Sequence, residues 1–223
     1  AEACALALAS LAWLRERGAE RIYFKYCSTF DSTAAGNIGH VTDALADALG
    51  AAIVPATPAY PRNQRTVYRG YLFVGDALLS ETGMRNHPLT PMTDANLVRV
   101  LQAQCARSQV GLIDQRVVSC GAEAGRARVD ALRDAGCRFA IADAIADADL
   151  HTLAAAASTL ALVVAASGLA IGIPVLHGLR PDPASTRLPP AGGTRAVISG
   201  SCSTASNAQV ADFVARGGAA FRI

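Results

Sequence analysis

Aromatic residues are scarce, 5% of the 223 positions with a single tryptophan. That leaves too little material for an aromatic-rich β-sandwich core. The apolar fraction of 52%, swollen by alanine, points instead to helices packed closely on a sheet. Net charge is equally slight at +2, so the chain carries no electrostatic footprint for nucleic acid. The six cysteines (Cys4, Cys27, Cys105, Cys120, Cys137 and Cys202) form no Cys-x-x-Cys pair and no zinc-spaced cluster with histidine. They read as buried thiols of a reducing compartment. The strings Gly-x-x-x-x-Gly-Lys-Ser/Thr, Gly-x-Gly-x-x-Gly and Gly-x-Ser-x-Gly are absent. The common P-loop, dinucleotide and hydrolase-elbow signatures are therefore excluded.

Two stretches bear on membranes. The N-terminal AEACALALASLAWLRERG turns charged only at Arg15, Glu16 and Arg17, whereas a signal peptide carries its positive charge first, so it reads as an amphipathic helix. Thr152 to Leu176 holds no Asp, Glu, Lys or Arg, yet it is mostly alanine interrupted by Ser158, Thr159, Gly168, Gly172 and Pro174. A helix, a buried strand and a helix start account for it better than a span.

What is present is an alternation of short apolar runs and helical patterns. Helix Glu2 to Arg17, strand Arg21 to Phe24, helix Ile38 to Leu49 (apolar at Ile38, Val41, Leu45 and Leu49) and strand Ala52 to Pro55 form a βαβ unit, hence a parallel pair. From Pro55 to Met92 the rhythm breaks, and Arg65 to Tyr68 and Tyr71 to Val74 flank Arg69-Gly70 as a hairpin. A helix capped by Thr93 or Asp94 runs to Gln104, followed by strands Gly111 to Ile113 and Val117-Val118. Helix Glu123 to Ala135, strand Arg138 to Ala142, helix Asp147 to Ala157 and the continuous apolar strand Leu160 to Val164 complete the domain. Pro174 to Gly193, with five prolines, reads as a linker. Beyond it, strand Arg195 to Ile198, helix Thr204 to Ala215 and strand Ala219 to Ile223 spell one further βαβ unit. The fold class is α/β: a layered, mostly parallel, Rossmann-like sheet with flanking helices, plus the first βαβ piece of a second α/β domain.

Chemistry concentrates in Lys25 to Asn37, KYCSTFDSTAAGN, where a lysine, five hydroxyl or thiol side chains, Asp31 and Gly36-Asn37 precede a helix. At the carboxyl end of a strand, donors beside a helix N-terminus suit an anionic, polyhydroxylated ligand. The same letters are also ordinary loop and capping chemistry. Arg62 to Tyr71 reads equally as an edge hairpin guarded by arginines. His87 with Asp94 spells a base and its orienting carboxylate or merely a turn residue. Cys27 near Lys25 is a candidate nucleophile or an inert thiol. The turn Ser199 to Ser203 offers backbone N–H groups to a phosphate or is a plain βα turn.

The strings FKYCSTFDST, GNIG, NQRTVYRGYLFVG, GMRNHPLTPMTDANLVRVLQ and VISGSCSTASNAQV resemble, in this order and over most of the chain, the four-carbon acid sugar kinase family, most closely its 3-oxo-tetronate 4-kinase members. The resemblance implies a cytoplasmic two-domain enzyme using ATP and Mg²⁺. Residues 1–176 would bind the sugar acid, 177–194 would link, and 195–223 would open the nucleotide-binding domain. On that view Lys25 and Asp31 are the catalytic candidates. Ser28, Thr29, Gly36, Asn37, Arg65, His87 and Asp94 line the substrate side, together with Pro88 and Met92. Ser199, Ser201 and Ser203 face ATP, and no residue is assigned to a metal. The family's Asp-Asp-x-Thr-Gly-Ala strand and most of its nucleotide domain are not matched, and the glycine-rich turn after the last strand of the first domain is reduced to Val164-Ala165-Ala166-Ser167-Gly168. The chain is therefore expected to be an internal stretch of such a kinase, inactive alone.

The expected reaction transfers the ATP γ-phosphoryl group to the terminal hydroxyl of a four-carbon keto acid. Expected partners are the sugar acid and ATP, without nucleic acid or membrane, and homo-oligomerisation is left open. Two rival readings are a non-catalytic sugar-acid-binding module and a cysteine-dependent hydrolase built on Cys27 and His87.

Overall fold

Short apolar runs bounded by glycine and polar loops form five parallel strands, and the runs with apolar residues three or four apart form the helices that cover them. The computed structural model describes residues 2–105, 108–190, 192–201 and 203–222. Helix α1 (Glu2–Glu16), strand β1 (Ile22–Lys25), helix α2 (Ile38–Leu49) and strand β2 (Val54–Thr57) come first. An antiparallel meander follows, made of β3 (Arg65–Tyr68), β4 (Tyr71–Val74) and β5 (Ala77–Leu78). Then come α3 (Leu97–Gln102), β6 (Gln109–Ile113), α4 (Gln115–Val118), α5 (Ala122–Asp134), β7 (Cys137–Ala142), α6 (Asp147–Ala156), β8 (Leu162–Ala165), α7 (Ile173–Leu176) and α8 (Thr204–Ala215).

The main sheet runs β1-β8-β2-β7-β6, all parallel. The expected βαβ unit forms, but β8 lies between its strands, so β1 and β2 are parallel without being neighbours. Right-handed crossovers carry the chain from β1 through β2 to β6 and back through β7 to β8. They place α2 and α3 on one face and α5 and α6 on the other. The inner strands are covered on both sides, which is why Phe139, Ile141, Leu162 and Val164 are buried almost completely. No helix among the described residues is long and apolar enough to cross a membrane. The uncharged stretch from Thr152 divides into the end of α6, β8 and α7.

Several expected elements differ. Val117 and Val118 are helical, not a strand, because the Asp114 side chain accepts from the Val117 N–H (3.2 Å) and starts α4 directly after β6. Helix α3 starts at Leu97, capped by Asn96, whose side chain accepts from the Arg99 N–H (3.0 Å). Asp94 is instead held by Arg99 and by the Asn96 N–H. The strands expected at 195–198 and 219–223 are not formed at 195–198 or 219–222, and Ile223 lies outside the described residues. Val197, Ile198 and Phe221 are each more than nine-tenths exposed, with no strand beside them to accept their backbone groups. Helix α8 does form, capped by Ser203.

The meander is fixed to the sheet by one buried carboxylate. Asp143, immediately after β7, accepts from the backbone N–H groups of Arg69 (2.6 Å), Gly70 (2.8 Å) and Gln115 (3.0 Å). Arg69 and Gly70 have φ of +50° and +77°, the left-handed pair of a two-residue hairpin turn. Val67 and Ala144 exchange backbone hydrogen bonds beside it (2.9 and 3.0 Å). Burial pushes the Asp143 carboxyl up, and the three donors pull it back toward ionisation. Asp143→Ala leaves those donors without their acceptor and is expected to cost about 3 kcal/mol in urea unfolding, with Asp143→Asn between it and wild type. A loss below about 1 kcal/mol would show that water replaces the carboxylate.

Among the described cysteines only Cys105 is buried; Cys4 and Cys137 are partly covered, and Cys27 and Cys120 are exposed, so the expectation of buried thiols fails for most of them. Cys202 lies outside the described residues. Burial, with Asp43 adding to it, pushes the Cys105 thiol up to about 12. Brief alkylation at about pH 8 should label Cys27 and Cys120 well before Cys105, read by peptide mass spectrometry. Equal labelling would mean that the packing of Cys105 against Gly39 opens readily.

Candidate functional site

Because every strand of the main sheet points the same way, all five carboxyl ends lie along one edge. The chain leaves β1 toward α2 and leaves the adjacent β8 toward the face that carries α6, the arrangement beside which open α/β sheets bind ligands. Lys25 closes β1 and is exposed, without an ion pair among the described residues. It is also the single lysine of the sequence, against 19 arginines.

The loop after β1 is bent by two non-glycine residues in left-handed conformation, Phe30 (φ +64°) and Asp31 (φ +38°). Such backbone costs on the order of 1 kcal/mol per residue and persists only where surroundings enforce it. Here the Phe30 ring is buried and meets Tyr26 edge-on with centroids 5.2 Å apart. The bend returns the chain so that Thr29 Oγ1 donates to Asp31 Oδ1 (2.6 Å), with Cys27 Sγ 3.2 Å from the same hydroxyl. Asp31, Thr29 and Cys27 thus form one hydrogen-bonded series, with Ser28 half-buried inside it.

Residues 32–39 are held from below by a side chain that sequence reasoning missed. Gln104, 1% exposed, donates from Nε2 to Ser32 Oγ (2.8 Å) and the Thr33 carbonyl (2.7 Å), and its Oε1 accepts from the Gly39 N–H (2.8 Å). A Cβ on Gly36 would lie 1.9 Å from Ser32 Oγ, and one on Gly39 would lie 2.8 Å from Gln104 Cβ, so both positions need glycine. Asn37 takes the N-cap position of α2, yet its side chain makes no cap hydrogen bond and is exposed.

Of the other expected substrate residues, none is joined to this loop by a hydrogen bond or ion pair among the described residues. Arg65 opens β3 and donates to the Asn63 carbonyl. His87 Nδ1 accepts from the Thr90 N–H (3.1 Å) and lies 3.0 Å from Thr90 Oγ1, which makes it the centre of its own turn. Asp94 is gripped by Arg99 through two hydrogen bonds (2.8 and 2.7 Å), which hold its carboxyl below the usual range. The pairing of His87 with Asp94 as base and orienter is therefore not formed. Pro88 is exposed and Met92 buried. Ser199, Ser201 and Ser203 lie in an exposed segment, where Ser201 Oγ accepts from the Ser203 N–H (3.2 Å) and Ser203 Oγ from the Ser206 N–H (3.1 Å). No group of three His, Cys, Asp or Glu side chains among the described residues is placed to hold a metal ion.

Residues 1–173 match the family described as the sugar-binding N-terminal domain. A "3-oxo-tetronate kinase" of Pseudomonas fluorescens is 55% identical over 212 residues, covering 94% of this chain and 49% of that protein. The chain spans about half the length of the curated relatives it matches. Among solved structures, a Haemophilus influenzae protein of the family DUF1537 is 44% identical with a TM-score of 0.76, over 94% of this chain and 50% of that one. A Bordetella bronchiseptica protein of the same family, solved with bound citrate as a domain-swapped dimer, is 27% identical with a TM-score of 0.59, over 77% of this chain and 40% of that one. With its match extending over residues 1–173, the chain belongs to the family of sugar-binding N-terminal domains.

Proposed function

We propose that this chain is the sugar-acid-binding part of an ATP-dependent kinase that phosphorylates the terminal hydroxyl of a four-carbon sugar acid, converting 3-oxo-tetronate to 3-oxo-tetronate 4-phosphate. The observation that carries the reading is the placement of the sequence's single lysine at the exit of β1, beside a loop of hydroxyl groups, in a domain whose relatives are 3-oxo-tetronate kinases. The citrate held by the Bordetella relative supports an anionic, hydroxylated ligand for the family. Residues 1–176 form the acid-binding domain, 177–194 the linker, and 195–223 the start of the nucleotide domain. The exposure of nearly every described residue from His177 onward agrees with a segment that packs on something other than the sheet.

In this reading Lys25 neutralises the substrate carboxylate or the transferred phosphoryl group. Ser28, Thr29, Gly36 and Asn37 bind the hydroxyl groups, and Asp31 orients the attacking one. Arg65, His87 and Asp94 shape the far wall, Asp94 through its grip on Arg99. The hydroxyl oxygen bonds to the γ-phosphorus as the bond to the bridging oxygen of ADP breaks, and the hydroxyl proton passes to a carboxylate. Serine hydroxyls ahead of the 12-residue helix α8 suit a phosphate, so Ser199, Ser201 and Ser203 are the residues proposed to face ATP. No group of three His, Cys, Asp or Glu side chains among the described residues would cage Mg²⁺. The setting is cytoplasmic.

The deciding experiment measures ATP consumption by the full-length protein carrying this chain, with and without 3-oxo-tetronate. Turnover that requires the acid supports the kinase; tight binding without turnover makes the domain a recognition module. Cys27→Ala should keep most of the activity, since the thiol only flanks the Thr29 hydroxyl; a complete loss would favour the cysteine-dependent hydrolase. Lys25→Met should weaken acid binding by about 1.5–3 kcal/mol, roughly ten- to a hundredfold, as expected for losing one charge-assisted contact. Amine acylation read on the peptide that carries Lys25, the single lysine of this sequence, offers a second check: bound acid should protect it. Unchanged labelling in saturating acid would remove Lys25 from the site.

A further inference from the structure

We propose that Gln104 is a positioning residue of the sugar-acid site, its buried carboxamide setting the shape in which residues 32–37 meet the ligand; this rests on the function proposed above. Gln104 lies two residues beyond α3 and 65 to 72 positions from its partners. Both hydrogens of its amide and its oxygen are engaged, by Ser32 Oγ, the Thr33 carbonyl and the Gly39 N–H. The orientation is fixed by chemistry. A backbone N–H can only donate and a backbone carbonyl can only accept, so oxygen must face Gly39 and nitrogen must face Thr33.

Three features separate this from an ordinary satisfied core glutamine. First, the bonds converge on the segment that carries two of the candidate ligand residues, bracketing Gly36 and Asn37 between Thr33 and Gly39. Second, Gly36 and Gly39 lack the Cβ atoms that would push the carboxamide away, so the backbone is drawn tight around it. Third, Gln104 occupies an N–H in the first turn of α2, so the Gly39 amide is withheld from a bound anion. Recognition then depends on the shape of the loop, with that helix-start donor removed from play.

The base holding Gln104 is itself braced. Gln102 Nε2 donates to the carbonyls of Cys105 (3.1 Å) and Ser108 (2.9 Å), and its Oε1 accepts from the Val110 N–H (3.0 Å). The Gln104 N–H donates to the Leu101 carbonyl (3.0 Å). The carboxamide is thus presented from the rigid end of a helix.

The test uses Gln104→Glu and Gln104→Leu in the full-length protein. Glutamate keeps the acceptor for Gly39 but sets an oxygen against the Thr33 carbonyl; leucine removes all three bonds. Both should raise KM for 3-oxo-tetronate at least tenfold while KM for ATP stays within twofold, and in this chain the Gly39 amide should lose hydrogen-exchange protection in Gln104→Leu and keep more of it in Gln104→Glu. Should Gln104→Leu not fold, Gln104→Glu alone carries the KM comparison. Unchanged KM for the acid in a folded variant overturns the inference, as does a parallel rise in both KM values. If wild type neither binds nor phosphorylates the acid, the function proposed above falls first and takes this inference with it.

Discussion

The buried carboxylate of Asp143 is the group on which the placement of the meander and the start of α4 over the sheet depends. A parallel sheet covered on both faces keeps its irregular backbone at its two ends, where polar groups must find partners without strands beside them. Asp143 provides such partners for the Arg69-Gly70 turn and the start of α4 together. From there the contacts are continuous. Gly70 O accepts from the Leu97 N–H (2.8 Å) and Ala95 O from the Leu72 N–H (2.9 Å), which fixes the start of α3 against the meander. Arg99 adds hydrogen bonds to Asp94 and the Tyr71 hydroxyl. Beyond the end of α3 stands Gln104, and on Gln104 rests the second half of the loop after β1, at Ser32, Thr33 and Gly39. This contiguity is structural, and it says how the meander and the loop after β1 share one foundation although no bond joins them directly.

What was legible in the sequence is what neighbours in sequence decide. Helix α2 has its expected bounds because Ile38, Val41, Leu45 and Leu49 share one face and Gly50 can take the left-handed cap. The hairpin is legible because Arg69-Gly70 is short and bounded by alternating strands. What escaped is decided across distance. Nothing local says that β8 would enter between β1 and β2, since strand neighbours are chosen by crossover and burial. Val117 and Val118 have strand letters, yet one carboxylate three residues earlier tips them into a helix. Val197 and Ile198 have strand letters too, and form no strand because a strand exists only beside another.

The candidate site divides the same way. Lys25, Asp31 and the hydroxyl residues could be singled out from their spacing after a strand, whereas Gln104 gave no signal: a glutamine near a helix end is ordinary until its partners appear 65 to 72 positions away. The left-handed pair Phe30-Asp31 was equally invisible, because aromatic side chains do not favour such backbone and only burial of the ring enforces it. His87 and Asp94, plausible as a pair by sequence proximity, were separated by competition. A guanidinium with two parallel N–H groups outbids a single imidazole for a carboxylate.

Lysine usage extends this argument to the ligand. In a chain with 19 arginines and one lysine, most cations are fork-shaped guanidinium groups, and several are committed to internal pairs: Arg62 with Asp147, Arg99 with Asp94, Arg138 with Asp43 and Asp47. A guanidinium at position 25 would favour a planar, bidentate partner and hold it in one orientation. An ammonium is a compact charge on a flexible stem, with three rotatable donors and no preferred plane. The exit of β1 thus presents an exposed point charge, without an ion pair among the described residues, beside a loop of hydroxyl groups.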